Sequence, residues 1–231
     1  MLFRSFNLIH IDPWKEHLFF EDGLKETIRN INFISDLNSD IKFEIGTEET
    51  IRKFNIKELV EYLTELKIEL NKTQFENIEY LCIQSGVGLD LVNQKNIGDF
   101  NLEKLRLMVE VCKKFNKKSK EHNGDYLSKQ EIEIRFENGL DSLNIGPEIA
   151  QIETQVLLDY MTIKEIDDFY EICLKSEKWK KWVDSNFNIK DKEKLILVCG
   201  HYNFNHLDMH DIDDIVKDKI KEKLVKLLSY V

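Results

Sequence analysis

The sequence predicts an α/β chain built from parallel βαβ units. Short apolar segments alternate with amphipathic helical stretches. Each helical stretch carries one apolar stripe, which suits a helix that covers a sheet. Only two prolines and nine glycines occur, without a low-complexity linker, so residues 1–231 read as a single domain. Short strands joined by helices are the mark of parallel crossovers. A closed barrel and an open doubly wound sheet both meet that description.

The elements follow in order. "FNLIHI" (Phe6–Ile11) is the first expected strand; the opening "MLFRSFNLIHIDPW" has one basic residue and a short apolar patch, a poor signal peptide. "DGLKETIRNINFISDL" then places Leu24, Ile28, Ile31 and Ile34 on one helical stripe. "IKFEIG" (Ile41–Gly46) is the second strand. "NIKELVEYLTELKIEL" aligns Leu59, Leu63, Leu66 and Leu70, with Asn55 as N-cap and Glu58 at the capping-box spacing. "IEYLCIQ" (Ile78–Gln84) is the third strand, and "NLEKLRLMVEVCKKF" the next helix, capped by Asn101 with Leu105, Met108 and Cys112 on its stripe.

"SKEH" (Ser119–His122) is polar and is placed as the fourth strand by its context. "SKQEIEIRFENG" starts at Ser128, carries Glu131 at the capping-box spacing and stops at Gly139. "LDSLNIG" (Leu140–Gly146) and "KLILVCG" (Lys194–Gly200) are the last two expected strands, and an amphipathic helix is expected over roughly 211–230.

Composition narrows the function classes. Hydrophobic residues make up 42% and charged residues 33%, which suits a globular chain with a core. No apolar run approaches the ~18 residues of a membrane span. A net charge of −10 argues against non-specific nucleic-acid binding, and the basic run "KKFNKKSK" (Lys113–Lys120) reads as a solvated face. Cys82, Cys112, Cys173 and Cys199 form no C-x-x-C pair, which points to free thiols in a reducing, cytoplasmic setting.

Polar residues collect after the expected strands. The first is followed by His10 and Asp12, the second by Glu44, Thr47, Glu48 and Glu49, and the third by Gln84, Ser85, Gly86 and Gly88. The fourth ends in His122, Asn123 and Asp125, the fifth in Asn144, Gly146 and Glu148, and the sixth in Gly200, His201, Tyr202 and Asn203. In parallel α/β folds these carboxyl ends converge on one face, where ligands bind. Carboxylates beside imidazoles suit a divalent metal or general acid–base chemistry.

Blander readings stand beside these. Asp12-Pro13 is also a strand stop, and Glu48 and Glu49 are also a solvated helix start. His122 beside Gly124 is also a turn histidine, and His201 after "LVCG" a core one. Glu44 is different: it interrupts an apolar strand, where a buried charge needs a partner. His17, His206 and His210 fall in helix-like or loop contexts, and Trp179 and Trp182 read as packing residues.

Four stretches together resemble a family. "LIHIDPWKE" is similar to a strand with an I-H-L-D run, "FEIGTEE" to an I-G-T-E-V stretch, and "EYLCIQSGVGLDL" to a strand with V-Q-P-G-V. "EHNGDYLSKQEIEIRFENGLDSLNIGPEI" resembles an H-S-T-D-Y segment, a helix and then a K-V-G-P-A-L strand. In this order, over about Leu8 to Ile152, they resemble the class II tagatose-bisphosphate aldolase accessory subunits of the GatZ/KbaZ type, distant relatives of the class II fructose-bisphosphate aldolases.

The resemblance implies a TIM-type (β/α) barrel in which "FNLIHI" is the fourth strand, so the first three strands have no counterpart. Residues 155–231 become a C-terminal extension whose placement stays open. A chain lacking those strands would leave sheet edges open, to be completed by another chain or in part by "KLILVCGHYNFNH". The resemblance also implies zinc or another divalent metal, with His122 as a metal histidine and Glu44 as its carboxylate. Gly124 and Gly146 then take phosphate-turn positions. Two departures matter: "HNGDY" lacks the serine of a working phosphate turn, and Pro147 in "NIGP" has no N–H to offer.

The expected function is an aldolase-like sugar-phosphate protein. It acts either as a metal-assisted lyase on a ketose (bis)phosphate or as the accessory subunit of a second aldolase chain or homo-oligomer. A non-catalytic interaction domain with a degenerate site is the alternative. The residues expected to carry chemistry are Asp12, Glu48 and Asp125 as acids or bases, with His122 and Glu44 on the metal. Gln84, Gly124, Asn144, Gly146 and His201 are expected around the substrate.

Overall fold

A computed structural model describes residues 6–206 and 213–230. The elements are β1 (Leu8–Ile11), α1 (Phe20–Leu37), β2 (Lys42–Ile45), α2 (Ile56–Glu69), α3 (Lys72–Asn77), β3 (Ile78–Ile83), β4 (Leu89–Asp90) and β5 (Lys95–Asn96). They continue with α4 (Leu102–Lys114), β6 (Lys118–Glu121), α5 (Lys129–Glu137), β7 (Ser142–Leu143), α6 (Pro147–Tyr160), α7 (Ile163–Ser176), α8 (Lys192–Cys199) and α9 (Asp213–Leu228). His210 and the expected start of the last helix at Asp211 lie outside the described residues.

The first five expected strands form one parallel sheet in the order β1-β2-β3-β6-β7, while β4 and β5 make a small antiparallel hairpin. Among the described residues this sheet has two ends and closes into no barrel. The α/β class and the parallel strands are as expected, with open edges as a partial barrel would have; the sheet itself shows an open five-stranded parallel arrangement and no closed barrel among the described residues.

The sixth expected strand is corrected. "KLILVC" lies in α8, capped by Asp191, whose Oδ1 accepts from Lys194 N at 3.3 Å. An apolar run this short suits a buried helix as well as a strand. Tertiary packing decides it here, burying Leu195, Ile196, Val198 and Cys199 around the helix.

The described chain forms two compact units. The first comprises residues 6–88, 98–124 and 134–144 and contains the parallel sheet; the second comprises 89–97, 125–133 and the residues from 145 onward. Within the first unit, strand alternation separates two faces. Ile11, Phe43, Ile45, Leu81 and Ile83 pack with Ile31 and Ile34 of α1, Leu59, Leu63 and Leu66 of α2, and Leu105 and Met108 of α4. His10, Glu44, Tyr80, Lys118 and Lys120 alternate with them along the strands. The helices therefore cover the apolar face, and the polar row lies opposite.

Two local arrangements brace the strand ends. Fully buried Trp14 packs edge-on against Phe54 and Tyr62, and the Arg52 guanidinium lies 4.9 Å from the Trp14 and Phe54 ring centroids. Arg52 also pairs with Glu58 at 2.6 Å. Below β6, Arg135 Nε donates to Glu121 Oε2 at 2.9 Å with both side chains buried, and Phe100 faces the guanidinium at 4.1 Å. The second unit has its own core around Leu158, Phe169, Tyr170, Cys173, Leu195, Ile196 and Cys199.

Candidate metal centre

Three strands of the first unit bring polar side chains together at their carboxyl ends. β1 carries His10, β2 carries Glu44, and His122 follows β6 directly. Glu44 is only 2% exposed. Its Oε2 accepts from Lys120 Nζ at 2.5 Å. Its Oε1 is hydrogen-bonded to His122 Nε2 and lies 3.9 Å from His10 Nε2. The two imidazole centroids are 4.9 Å apart, and His10 Nε2 also meets the Gly46 carbonyl at 3.1 Å.

The turn after β2 makes this approach possible. Gly46 adopts a φ of +108°, and a Cβ there would lie 3.0 Å from Cys82 Cβ, so only glycine fits without strain. Beyond it, Glu48 places Oε1 3.9 Å from His122 Nδ1 and accepts from Asn123 Nδ2 at 3.1 Å through Oε2. His122 thus stands between two carboxylates.

The electrostatics follow from these contacts. Burial by itself lowers the pKa of His122, but the hydrogen bonding and charge of Glu44 and Glu48 outweigh it and push the imidazole up to about 9. Burial disfavours ionised Glu44, yet hydrogen bonds from His122 and Lys120 hold its carboxyl at about 2. Glu48 is also held at about 2, by His122 first, against burial and with help from Asn123. His10 moves the other way: burial lowers its pKa despite the charge of Glu44.

One nitrogen of each histidine and one oxygen of Glu44 lie within 4.8 Å of one another. Two imidazoles and a carboxylate form the donor set of zinc sites that keep one position open. The residues therefore fit a divalent transition metal, held by His10, Glu44 and His122. Glu44 and His122 were expected as ligands from the sequence. His10 was noted only as a polar strand end; the I-H-I-D context held the signal, because His10 pairs in register with Glu44.

The other expected residues sort differently. Asp12 accepts from Thr47 Oγ1 at 3.0 Å and from Trp14 N at 3.2 Å, which ties the β1 turn to the β2 turn. Gln84 donates to the Thr47 and Arg52 carbonyls at 3.0 and 2.7 Å and accepts from Phe54 N at 2.8 Å. Both amide hydrogens are spent on the backbone, so Gln84 shapes the β2–α2 loop. Gly124 donates to the Asn144 carbonyl at 2.9 Å, and Asn144 N donates to the Glu121 carbonyl at 2.8 Å, which extends the β6–β7 pairing. A side chain at 124 would collide with Leu143.

In the second unit, Asp125 Oδ1 accepts from Gly146 N at 2.9 Å and Glu148 N at 2.7 Å. Its carboxylate thereby caps the start of α6, using the Gly146 N–H expected to meet a phosphate. Burial, opposed by those hydrogen bonds, raises the pKa of Asp125. His201 follows a helix rather than a strand, in a 3₁₀ segment, and burial with nearby Lys181 lowers its pKa to about 4. Its expected place at a strand end falls with the corrected strand.

No family model matches the chain, and no curated protein matches it. Solved structures do. The YdjI aldolase from Escherichia coli K12 aligns with a TM-score of 0.51 at 12% identity, covering 97% of this chain and 59% of that one. A probable tagatose 6 phosphate kinase from Sinorhizobium meliloti 1021 aligns with a TM-score of 0.61 at 12% identity, covering 85% and 54%. The fructuronate-tagaturonate epimerase UxaE from Cohnella laeviribosi aligns with a TM-score of 0.61 at 13% identity, covering 91% and 50%. The chain spans between half and three fifths of the length of these proteins, and the likeness is one of fold.

Proposed function

We propose that this chain performs metal-assisted chemistry on a keto sugar or sugar phosphate, of the carbon–carbon lyase type. The observation that carries the reading is the convergence of His10, Glu44 and His122 from three strand ends. The fold shared with proteins described as an aldolase, a tagatose 6 phosphate kinase and a sugar-acid epimerase supports the substrate class.

In this reading His10 and His122 ligate as neutral imidazoles and Glu44 as a carboxylate. A bound divalent metal supplies Lewis-acid polarisation of a carbonyl oxygen. His122 must give up its Nε2 proton to ligate, which leaves its Nδ1–H facing Glu48 and fixes the tautomer. Glu48, with its side chain 31% exposed beside His122, is then the carboxylate placed to accept a proton from a substrate carbon. Asp12 and Gln84 hold the loop that carries Glu48.

A second reading, the accessory subunit, draws support from the α6 start. The Gly146 and Glu148 N–H groups already serve Asp125, and Pro147 has no N–H to donate. A turn committed in this way favours a fold-bearing role over phosphate binding.

The test is direct. Protein loaded with zinc or cobalt is assayed for cleavage and epimerisation of ketose phosphates, ketose bisphosphates and unphosphorylated keto sugars, with metal content measured alongside. Turnover lost in His122→Ala and Glu44→Gln is the expected result. Metal binding without turnover leaves the subunit reading, which a pull-down for a second aldolase-like chain then checks. Absence of both metal and turnover defeats the lyase reading.

A further inference from the structure

We propose that Lys120 is a positioning residue that makes Glu44 a one-oxygen metal ligand. The inference rests on the metal reading above and goes beyond it by explaining the coordination number. Lys120 and Glu44 belong to β6 and β2, with β3 between them in the sheet. The Lys120 ammonium lies 2.5 Å from Glu44 Oε2, and the two side chains are 17% and 3% exposed. Tyr80, on the intervening strand, brings its ring centroid to 5.5 Å from the same ammonium.

The consequence is geometric. With Oε2 held by Lys120, only Oε1 is turned toward His10 and His122. One carboxylate oxygen and two imidazole nitrogens make three donors and leave a fourth, open tetrahedral position. A carboxylate free to offer both oxygens would raise the coordination number and crowd that position. Holding one oxygen aside is the role that hydrogen-bond partners of metal ligands commonly play. Methionine at 120 matches the apolar stem of lysine but has no ammonium to hold Oε2, whereas arginine keeps a cation that can.

Cobalt(II) alone, added to the full chain, reads this directly, because four-coordinate cobalt absorbs much more strongly in the visible than five- or six-coordinate cobalt. The wild type is expected to show the strong band. Lys120→Met is expected to lose the band several-fold while keeping its circular dichroism, and Lys120→Arg to retain it. Bound cobalt is measured in parallel by equilibrium dialysis. A weak band from bound cobalt in the wild type, or an unchanged band in Lys120→Met, overturns the proposal and leaves the metal site standing. A wild type that binds no cobalt removes the metal reading itself, and the role of Lys120 with it.

Discussion

Glu44 on β2 and Lys120 on β6 meet at 2.5 Å across the strand that separates them. This ion pair, with His122 on the other carboxylate oxygen, puts two cationic groups on one buried carboxylate. Removing the carboxylate strands Lys120 and leaves His122 with Glu48 alone. Glu44→Ala is therefore expected to destabilise the metal-free protein by about 3 kcal/mol, the cost of leaving buried charge uncompensated. Urea unfolding with added chelator measures it; a loss below about 1 kcal/mol would place the cluster in a much wetter setting.

The same cluster sets a pH profile for the metal-free protein. His122 has its pKa raised from 6.5 to about 9, so its contribution is complete below pH 6.5 and is lost as pH rises through 9. Glu44 and Glu48 are lowered from 4.5 to about 2, so theirs is complete above pH 4.5 and is lost as pH falls toward 2. Stability from the cluster should peak between these limits. His122→Gln should flatten the alkaline limb. Bound metal should do so too, because it requires the neutral imidazole. Thermal melts from pH 2 to 10 in chelator, about one pH unit apart, are sufficient to resolve both limbs.

Asp125 offers a test between two roles. As the cap of α6 it needs only an acceptor oxygen, which asparagine also has. Asp125→Asn should hold stability within about 0.5 kcal/mol, while Asp125→Ala should cost about 1–2 kcal/mol. If Asp125→Asn abolishes turnover in a metal-loaded protein without changing the melt, the carboxylate has a chemical role as well.

Gly23 should defy helix propensity. In an exposed helix, alanine is favoured over glycine by about 1 kcal/mol. Here a Cβ at 23 would collide with the ring of fully buried Trp14. Gly23→Ala is expected to destabilise by about 1–3 kcal/mol through overpacking, read by chemical denaturation. A stabilised variant would show that Trp14 has room to move.

Arg135 is a last test of the helix-covered face. Its pair with Glu121 is fully buried, and Glu121 also accepts from Ser85 N at 2.8 Å. Arg135→Met should cost about 3–5 kcal/mol, because the carboxylate that remains has no cation left. Chemical denaturation of the variant beside the wild type measures the loss; a cost below about 1 kcal/mol would show that the pair contributes little.

Much of the fold was legible from local pattern. Five of the six expected strands exist, and the capping boxes at Asn55–Glu58 and Ser128–Glu131 form as the spacing implied. "KLILVCG" failed because an apolar run of that length carries no period to separate helix from strand. Glu44 stood out in the sequence because a carboxylate in an apolar strand needs compensation. His10 did not, because an imidazole beside a strand end is unremarkable until its register partner is known.

Local chemistry thus settled the parallel strands, the helix starts and the polar strand ends, since hydrogen-bonding period and capping act over a few residues. The order of the strands in the sheet, the helical state of "KLILVC" and the meeting of His10, Glu44, Lys120 and His122 depended on packing between segments distant in sequence. Glu44 and His122 are 78 positions apart, and no local interaction carries information over that distance. The register of β1 on β2 and the order of β2, β3 and β6 place them together, and both are properties of the assembled sheet.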